Sequence, residues 1–372
     1  MRKFSFVVLW TLVACTPDPL TMVDAPPRDA GSEVVEPERD AGSAARDAGE
    51  SEVDPPDAGF VDAGMTEPPR DAGPRDGGPD VPPMPGEPPP FPTYSGGACP
   101  TLTGGPTSAS AVNSGFPTGS DERSFRLIVP MNYDPSTPTP VVFAWHWLNA
   151  SSNSFVREGE LETATEQMGF IAVLPDKKLK PDGDKAYLFD WPFVEVSNAP
   201  SELLFFDDLL ACVSEQFNVD RHGVYGIGVS AGALWLTYMS SQPQIDHFAA
   251  VESLSGGMGE VAGVWGIGFT PRPHKFPALV LWGGSRDWLG LNFHEASLRY
   301  RDALVDDGHF VVACTHDSGH SMPPIEPPNP GQTRFVSLWR FMLDHPYGMS
   351  PGDSPYLTSG LPSEFPTWCE IP

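Results

Sequence analysis

Residues 228–232 read GVSAG, and this short pattern constrains the fold of the chain more than any other feature. It follows an apolar run at 224–227 that predicts a strand, and it begins a helical pattern at 231–240. A G-x-S-x-G sequence between a strand and a helix is typical of a nucleophile elbow, a sharp turn whose flanking residues must be small. Such a turn exposes the serine oxygen at the positive end of a helix dipole. The sequence therefore predicts Ser230 as a nucleophile; an idle serine in a glycine-rich turn is the alternative.

The C-terminal three quarters of the chain alternates between apolar strands and amphipathic helices. The hydrophobic pattern predicts strands at 125–129, 141–145, 170–174, 224–227, 249–254, 278–282 and 310–313. It predicts helices at 158–168, 202–217, 231–240, 297–305 and 334–343. Strands that are apolar throughout and alternate with helices indicate a mostly parallel sheet with helices on both faces. We therefore expect one α/β domain over residues 97–372.

Two residues that come later in the chain are candidates for the chemical partners of Ser230. A serine hydroxyl is a weak nucleophile unless a base takes its proton, and that base is usually a histidine that a carboxylate orients. Asp287 follows the strand at 278–282 and His320 follows the strand at 310–313, so both fall in loops at the carboxyl edge of the sheet. The order serine, acid, histidine is the one expected after a nucleophile elbow. His316, which lies closer to the strand end, is the competing base.

Several local motifs resemble those of the α/β-hydrolase superfamily, and within it the secreted polyhydroxybutyrate depolymerase-like and feruloyl esterase-like enzymes. These motifs are SFRLIVP at 124–130 with Tyr133, NVD at 218–220, VYGIGVSAG at 224–232, Gly319-His320, and RFMLDHP at 340–346. Together they span most of residues 120–346. The resemblance implies hydrolysis of a carboxylic ester through an acyl-enzyme, with Ser230, Asp287 and His320 as the catalytic triad and no cofactor.

The turn after the second predicted strand departs from the family pattern. Where the family has His-Gly, this chain has His146-Trp147, followed by Leu148 and Asn149. Acyl transfer needs two hydrogen-bond donors aimed at the developing oxyanion. We expect one to be the backbone N–H of Ala231 and the other to be the N–H of Trp147 or Leu148. The side chain of Asn149 is an alternative donor, and His146 is expected to be structural.

Aromatic residues accompany the loops at this edge of the sheet. Trp191 and Trp288, together with Trp147 and Phe193, predict an aromatic cleft for an aryl ester or a sugar ring, although packing beneath loops explains each of them taken singly. No cluster of His or Cys has the spacing of metal ligands, and no glycine-rich loop carries the lysine of a phosphate site. We therefore expect neither a metal nor a cofactor.

The first fifteen residues have the features of an export signal. Arg2 and Lys3 precede an apolar run from residue 4 to residue 14, which is shorter than the roughly 20 residues that a membrane-spanning helix needs. The run ends in LVAC, which resembles the lipobox of bacterial lipoproteins and predicts a lipid on Cys15. Thr16 then favours the outer membrane or the cell surface. The alternative is an ordinary secretory signal, which would give a secreted protein.

Residues 16–96 are predicted to form a disordered linker. Positions 16 to 95 contain 18 acidic and 5 basic side chains, 18 prolines and very few large apolar residues, so no core can offset the entropy of ordering them. Asp-Ala-Gly triplets recur there at irregular spacing, which favours a solvated spacer that holds the domain away from a lipid surface. The formal net charge of the chain, −27, argues against nucleic acid as a partner, because it would repel phosphates.

Four cysteines remain in the domain once Cys15 is assigned to the lipid. In an exported protein they suggest two disulfides, for which three pairings are possible. We favour Cys99 with Cys369, which would tie the two ends of the domain, and Cys212 with Cys314.

The expected partner is an ester substrate, either a feruloyl or acetyl ester of a polysaccharide or a short polyester. Two other functions fit the same residues. One is a non-catalytic surface-binding module that kept the triad and lost a working oxyanion hole, which would explain Trp147. The other is a serine peptidase of the same fold, although such enzymes often carry an extra domain that restricts access, and this chain has only the linker.

Overall fold

A computed structural model describes residues 86–261 and 265–372; the predicted signal, Cys15 and residues 16–85 lie outside these ranges. The described strands are β1 Ala111–Thr118, β2 Asp121–Ile128, β3 Thr139–Trp145, β4 Ile171–Pro175, β5 Val219–Val229, β6 Ala250–Leu254, β7 Gly259–Val261, β8 Trp265–Ile267, β9 Ala278–Trp282, β10 Val311–Thr315 and β11 Cys369–Glu370. The described α-helices are α1 Ser152–Glu158, α2 Leu161–Met168, α3 Ala199–Gln216, α4 Ala231–Met239, α5 Phe293–Asp306, α6 Val336–Leu343 and α7 Pro355–Ser359. None of the helices in this part of the chain is long and apolar enough to cross a bilayer.

Nine strands form one sheet in the order β1-β2-β4-β3-β5-β6-β9-β10-β11, and β7 and β8 form a separate hairpin. The six strands from β4 to β10 in this order are parallel. The edge strands β1 and β11, and the strand β2 next to β1, pair antiparallel with their neighbours. Because the central strands all run the same way, the carboxyl ends of β3, β5, β6, β9 and β10 meet at one edge of the sheet.

The central strands are buried on both faces, which is why their sequences are continuous apolar runs. In β3, Val141 and Phe143 face one core, whereas Val142 and Ala144 face the other. Helices α3, α4 and α5 cover the first core, and helices α1, α2, α6 and α7 cover the second. The predicted sheet, mostly parallel with helices on both faces, is confirmed.

Several elements differ from the sequence prediction. The helix predicted at 158–168 is two helices, because Gly159 ends α1 and Glu160 adopts a left-handed backbone with φ 52°. The strand β1 was not predicted, since it contains a glycine and a proline and has an irregular register between Asn113 and Phe116. The strand β11 has two residues, too few for any periodic pattern.

The packed part of the domain begins before residue 97. Tyr94 is buried, and its hydroxyl donates to the carbonyl oxygen of Pro117 at 2.8 Å. The N–H and the hydroxyl of Ser95 both donate to the carboxylate of Asp208 on α3, each at 2.7 Å. A single tyrosine anchor in a proline-rich stretch leaves no periodic signal, so composition placed this segment in the linker.

The predicted disulfide pairing is wrong. Cys99 is bonded to Cys212, and Cys314 is bonded to Cys369. Cys212 lies on α3, on which the chain around residue 95 is packed, and Cys314 of β10 lies in register with Cys369 of β11. The pairing follows from which elements are neighbours in space, and cysteine spacing carries no such information. Two disulfides are typical of a protein that folds in an oxidising compartment.

Candidate active site

Ser230 lies at the sharp turn between β5 and α4. Its backbone has φ 53° and ψ −114°, a strained conformation for a residue other than glycine. Its N–H donates to the carbonyl oxygen of Leu254 on β6 at 2.8 Å. A Cβ at Gly228 would overlap the carbonyl of Gly232, and a Cβ at Gly232 would overlap the carbonyl of Trp145 on β3. Backbone contacts on both sides of the serine therefore require the two flanking glycines.

The structure brings Ser230, Asp287 and His320 into one hydrogen-bonded chain. Ser230 Oγ lies 2.9 Å from His320 Nε2, and His320 Nδ1 lies 2.6 Å from Asp287 Oδ1. With its Nδ1–H donated to the carboxylate, the imidazole keeps Nε2 free to accept the serine proton. The ring of Phe293 stacks on the imidazole with centroids 4.2 Å apart, which restricts its rotation. A general base beside a nucleophile needs this arrangement.

Asp287 is fully buried, and its carboxylate accepts three hydrogen bonds. In addition to His320, the Ser255 hydroxyl and the Gly283 N–H donate to Oδ2 at 2.7 and 2.8 Å. Burial by itself would raise the pKa of Asp287, but the three hydrogen bonds outweigh burial and hold the pKa below its ordinary value. The carboxylate therefore stays ionised beside the histidine. Sequence reasoning missed Ser255; its position directly after β6, at the same sheet edge, was the available signal.

The loops that carry the acid and the histidine touch through their backbones. A Cβ at Gly283 would overlap the carbonyl of Gly319, and the Gly319 N–H donates to the Gly283 carbonyl at 3.0 Å. Gly319 has φ 71°, which glycine adopts without steric cost. His316 lies apart from this arrangement: it is buried, burial lowers its pKa, and its Nδ1 accepts the Ser318 N–H at 3.2 Å. The structure places His320, and not His316, against the nucleophile.

The N–H groups expected to hold an oxyanion lie on two elements beside the nucleophile. Ala231 is the first residue of α4, so its N–H has no acceptor within the helix. The turn after β3 is closed by a hydrogen bond from the Ala150 N–H to the Trp147 carbonyl at 3.1 Å. The N–H groups of Trp147 and Leu148 donate to no atom of the residues that the structure describes. These N–H groups remain available to a ligand.

The two other polar residues of this turn make contacts within the protein. His146 is fully buried, burial lowers its pKa, and its Nδ1 lies 2.9 Å from the Trp147 carbonyl oxygen. Asn149 has a left-handed backbone with φ 60°, and its Oδ1 accepts from Lys185 Nζ at 3.1 Å. Neither side chain is hydrogen-bonded to Ser230 or His320.

An apolar cavity of about 410 Å³ opens at Ser230. Its floor consists of Ile227, Leu254 and Leu281, which belong to the second core. The lining also includes the apolar residues Trp147, Phe155, Phe335, Leu338, Trp339, Leu289, Met322 and Pro323. Among its few polar residues are Glu158 and Ser321. The volume is typical of small-molecule sites. No group of three or more His, Cys, Asp or Glu side chains within 86–261 and 265–372 is arranged to hold a metal ion.

The tryptophans predicted to line a cleft have three different positions. Trp147 lines the cavity and lies against Phe155, with ring centroids 6.1 Å apart. Trp191 does not line the cavity, and that prediction is wrong: the side chain is fully buried and its Nε1–H donates to the His146 carbonyl at 2.9 Å. Trp288 is 64% exposed and lies outside the lining, to which its neighbour Leu289 belongs. Phe193 is buried as well.

No protein-family model and no curated protein matches the sequence, but solved structures match the fold. A pOPH variant in complex with DMSO aligns with a TM-score of 0.58 at 16% identity, over 74% of this chain and 96% of that chain. Native sOPH aligns with a TM-score of 0.53 at 18% identity, over 74% of this chain and 97% of that chain. The parallel sheet with its elbow after β5 agrees with this likeness. The domain has the α/β-hydrolase fold.

A CE1 ferulic acid esterase from Anaeromyces mucronatus, in complex with ferulic acid, also matches. Its TM-score is 0.45 at 16% identity, over 64% of this chain and 90% of that chain. At these identities the likeness establishes the α/β-hydrolase fold alone.

Proposed function

We propose that the domain is a serine hydrolase of carboxylic esters that works through an acyl-enzyme. The observation that carries this proposal is the chain of hydrogen bonds from Ser230 through His320 to Asp287 at the opening of an apolar cavity. Ser230 Oγ attacks the ester carbonyl carbon while His320 Nε2 takes the hydroxyl proton. The C–O bond to the alcohol then breaks, and His320 returns the proton to the departing oxygen. A water molecule repeats these steps on the acyl-enzyme, which releases the acid and restores the serine.

Charge is proposed to be stabilised on both sides of the reacting carbon. The ionised Asp287 stabilises the imidazolium that forms when His320 takes a proton. The N–H of Ala231, with that of Trp147 or Leu148, is proposed to receive the oxyanion. Donors that are already oriented cost no reorganisation when charge develops, which makes this contribution large.

The acyl group of the substrate is proposed to occupy the cavity. An acetyl group would leave most of the roughly 410 Å³ empty, so the size and the apolar lining favour a feruloyl ester or a short polyester over an acetyl ester. We expect kcat/KM for nitrophenyl esters to rise from acetate to butyrate and hexanoate. Leu338→Trp, which would reduce the volume of the cavity, should lower the rate with hexanoate and leave the rate with acetate unchanged. An equal effect on both esters would place the acyl group elsewhere.

The first test is the reaction of the purified protein with a fluorophosphonate probe beside a Ser230→Ala control. Labelling and nitrophenyl butyrate hydrolysis by the wild type alone would support an activated serine. A folded wild type that is neither labelled nor active would contradict the proposal and favour a surface-binding module. Cleavage of peptide amides at rates comparable with ester cleavage would favour a peptidase.

We further propose that the protein is exported and anchored through a lipid on Cys15, with the linker as a spacer. The signal-like sequence and the two disulfides support export. In cells fed an alkyne fatty acid, the wild-type protein should incorporate the label and the Cys15→Ser protein should not. Equal labelling of both proteins would contradict an anchor at this cysteine.

A further inference from the structure

Asp190 is a fully buried carboxylate that holds the turn after β3. Its Oδ2 accepts the Asn149 N–H at 2.6 Å and lies 3.3 Å from Lys177 Nζ, which also donates to the Ala150 carbonyl at 2.9 Å. Lys185 Nζ lies 3.5 Å from Asp190 Oδ1. A buried charge is tolerated only where such partners compensate it. Asp190 thus anchors the turn at the point where Asn149 has its left-handed backbone.

Trp191, the next residue, fixes the beginning of the same turn. Its Nε1–H donates to the carbonyl of His146 at 2.9 Å, and its ring lies against the imidazole with centroids 4.9 Å apart. The His146 Nδ1–H in turn donates to the Trp147 carbonyl at 2.9 Å. The carbonyls of His146 and Trp147 are therefore both occupied, and the backbone between them cannot rotate without breaking a hydrogen bond.

The turn is also in contact with the nucleophile elbow. A Cβ at Gly232 would overlap the carbonyl of Trp145, and it would lie 2.8 Å from the carbonyl oxygen of His146. The strands β3 and β5, which lead into the turn and the elbow, are paired directly. The N–H groups of Trp147 and Leu148, which have no acceptor among the described residues, are thus held in the turn directly after β3, the strand that pairs with β5.

We propose that Asp190 and Trp191 are positioning residues for the oxyanion hole, holding the turn at 146–150 so that the N–H of Trp147 or Leu148 receives the oxyanion formed at Ser230. This inference rests on the proposed ester hydrolysis and adds to it the means by which the second donor is kept in place. Oxyanion donors are effective because they are oriented before charge develops. A turn that carries Trp147 has little freedom to re-aim its N–H, since the indole is committed to the cavity wall.

The test is steady-state hydrolysis of nitrophenyl butyrate by variants of these two residues. Asp190→Ala should lower kcat by about 10²-fold and Trp191→Phe by about 10-fold, with KM changed by less than about twofold, because a misplaced donor fails in the transition state. Asp190→Asn, which retains an acceptor oxygen for the Asn149 N–H, should recover most of the activity. The affinity for an alkyl boronate, whose tetrahedral serine adduct places an oxygen in the oxyanion hole, should fall in parallel with kcat.

Asp208→Ala is the matched control, because Asp208 is also fully buried and also accepts a loop N–H, that of Ser95 at 2.7 Å. It should lower the Tm as Asp190→Ala does and leave kcat unchanged. Wild-type kcat in a folded Asp190→Ala, or an equal loss of kcat in Asp208→Ala, would overturn the proposal. Should Asp190→Ala not fold, Trp191→Phe decides by the same comparison. A wild type without esterase activity would instead overturn the proposed function, and this inference with it.

Discussion

The two sides of Ser230 are built in different ways. On one side, Asp287 and His320 come from the loops after β9 and β10, and these loops touch through the backbones of two glycines. On the other side, the turn after β3 is held by the side chains of Asp190 and Trp191, which contact residues 41 and 45 positions away in the sequence. The first side is joined by contacts between the backbones of two loops, and the second depends on the side chains of one loop.

This difference separates two kinds of chemistry. In the proposed reaction, the side that carries the acid and the histidine would control where protons go. The side that carries the turn would receive the negative charge, and it is held by side chains of the loop at Asp190 and Trp191. We therefore expect substitutions on the two sides to differ in size and in the kinetic quantity that they alter.

The largest effect is expected for Asp287→Asn, which should lower kcat by about 10⁴-fold. The amide can donate a hydrogen bond to Nδ1 and so favours the wrong imidazole tautomer. Asp208→Asn, at a buried aspartate remote from the site, should leave kcat unchanged in the same nitrophenyl butyrate assay. A near wild-type kcat for Asp287→Asn would remove the carboxylate from the mechanism.

The next effect is expected where the two sides meet, at Gly232. The Cβ in Gly232→Ala would overlap the Trp145 carbonyl and push the turn away from the elbow, so kcat should fall by about 10²-fold or more. Gly105→Ala is the control, because a Cβ there meets nothing within 4 Å. An active Gly232→Ala would show that the turn and the elbow are not coupled.

A smaller effect is expected for Ser255→Ala, which removes one of the three hydrogen bonds to Asp287. Because two hydrogen bonds to the carboxylate remain, we expect a loss at the lower end of the about 1.5–3 kcal/mol that a bond to an ionised group contributes, so kcat should fall by roughly tenfold. Ser253→Ala is a close control, since the buried Ser253 hydroxyl has no hydrogen-bond partner among the described residues. Equal rates for the two variants would show that Ser255 does not support the acid.

The pH dependence of stability should report the ionisation of Asp287. The pKa of Asp287 is lowered in the folded state, so the stabilisation it provides is present above its ordinary pKa of 3.8 and is lost as the pH falls through the folded value. The Tm difference between wild type and Asp287→Asn should therefore shrink on acidification below about pH 4. A difference that stayed constant from pH 7 to pH 3 would contradict a lowered pKa.

No effect on kcat is expected for Glu252, another fully buried carboxyl, which contacts neither the acid–histidine loops nor the turn after β3 through a hydrogen bond among the described residues. Both of its oxygens lack a hydrogen-bond partner in the described part of the chain, and burial raises its pKa well above the ordinary 4.5. The unfolded chain loses this proton as the pH rises above 4.5 while the folded chain keeps it, so Glu252 destabilises the fold at high pH. Glu252→Leu should raise the free energy of unfolding at pH 8 by about 1–3 kcal/mol and by less at pH 4. A Glu252→Leu variant that is less stable than the wild type at pH 8 would show that the Glu252 carboxyl has a stabilising partner.

The contrast between the two sides also explains what could be predicted from the sequence. Buried parallel strands and the glycines of the elbow leave local patterns, so the sheet and the order Ser230, Asp287, His320 were accessible. Disulfide partners, the buried position of Trp191 and the role of Ser255 depend on which distant segments become neighbours. Contacts between distant segments have no characteristic spacing in a single sequence. The pairing of Cys99 with Cys212 is an example.

The cavity wall has a practical consequence for protein engineering. Leu338 and Trp339 of α6 and Phe155 of α1 shape the cavity, yet none of them is hydrogen-bonded to the residues that would perform the chemistry. In the proposed reaction these three side chains would set the substrate range, whereas Ser230, Asp287 and His320 would perform the chemistry. A mutant library focused on Phe155, Leu338 and Trp339 would diversify the substrate range while leaving the triad residues intact. Randomising Gly283 or Gly319 would instead mostly yield inactive clones.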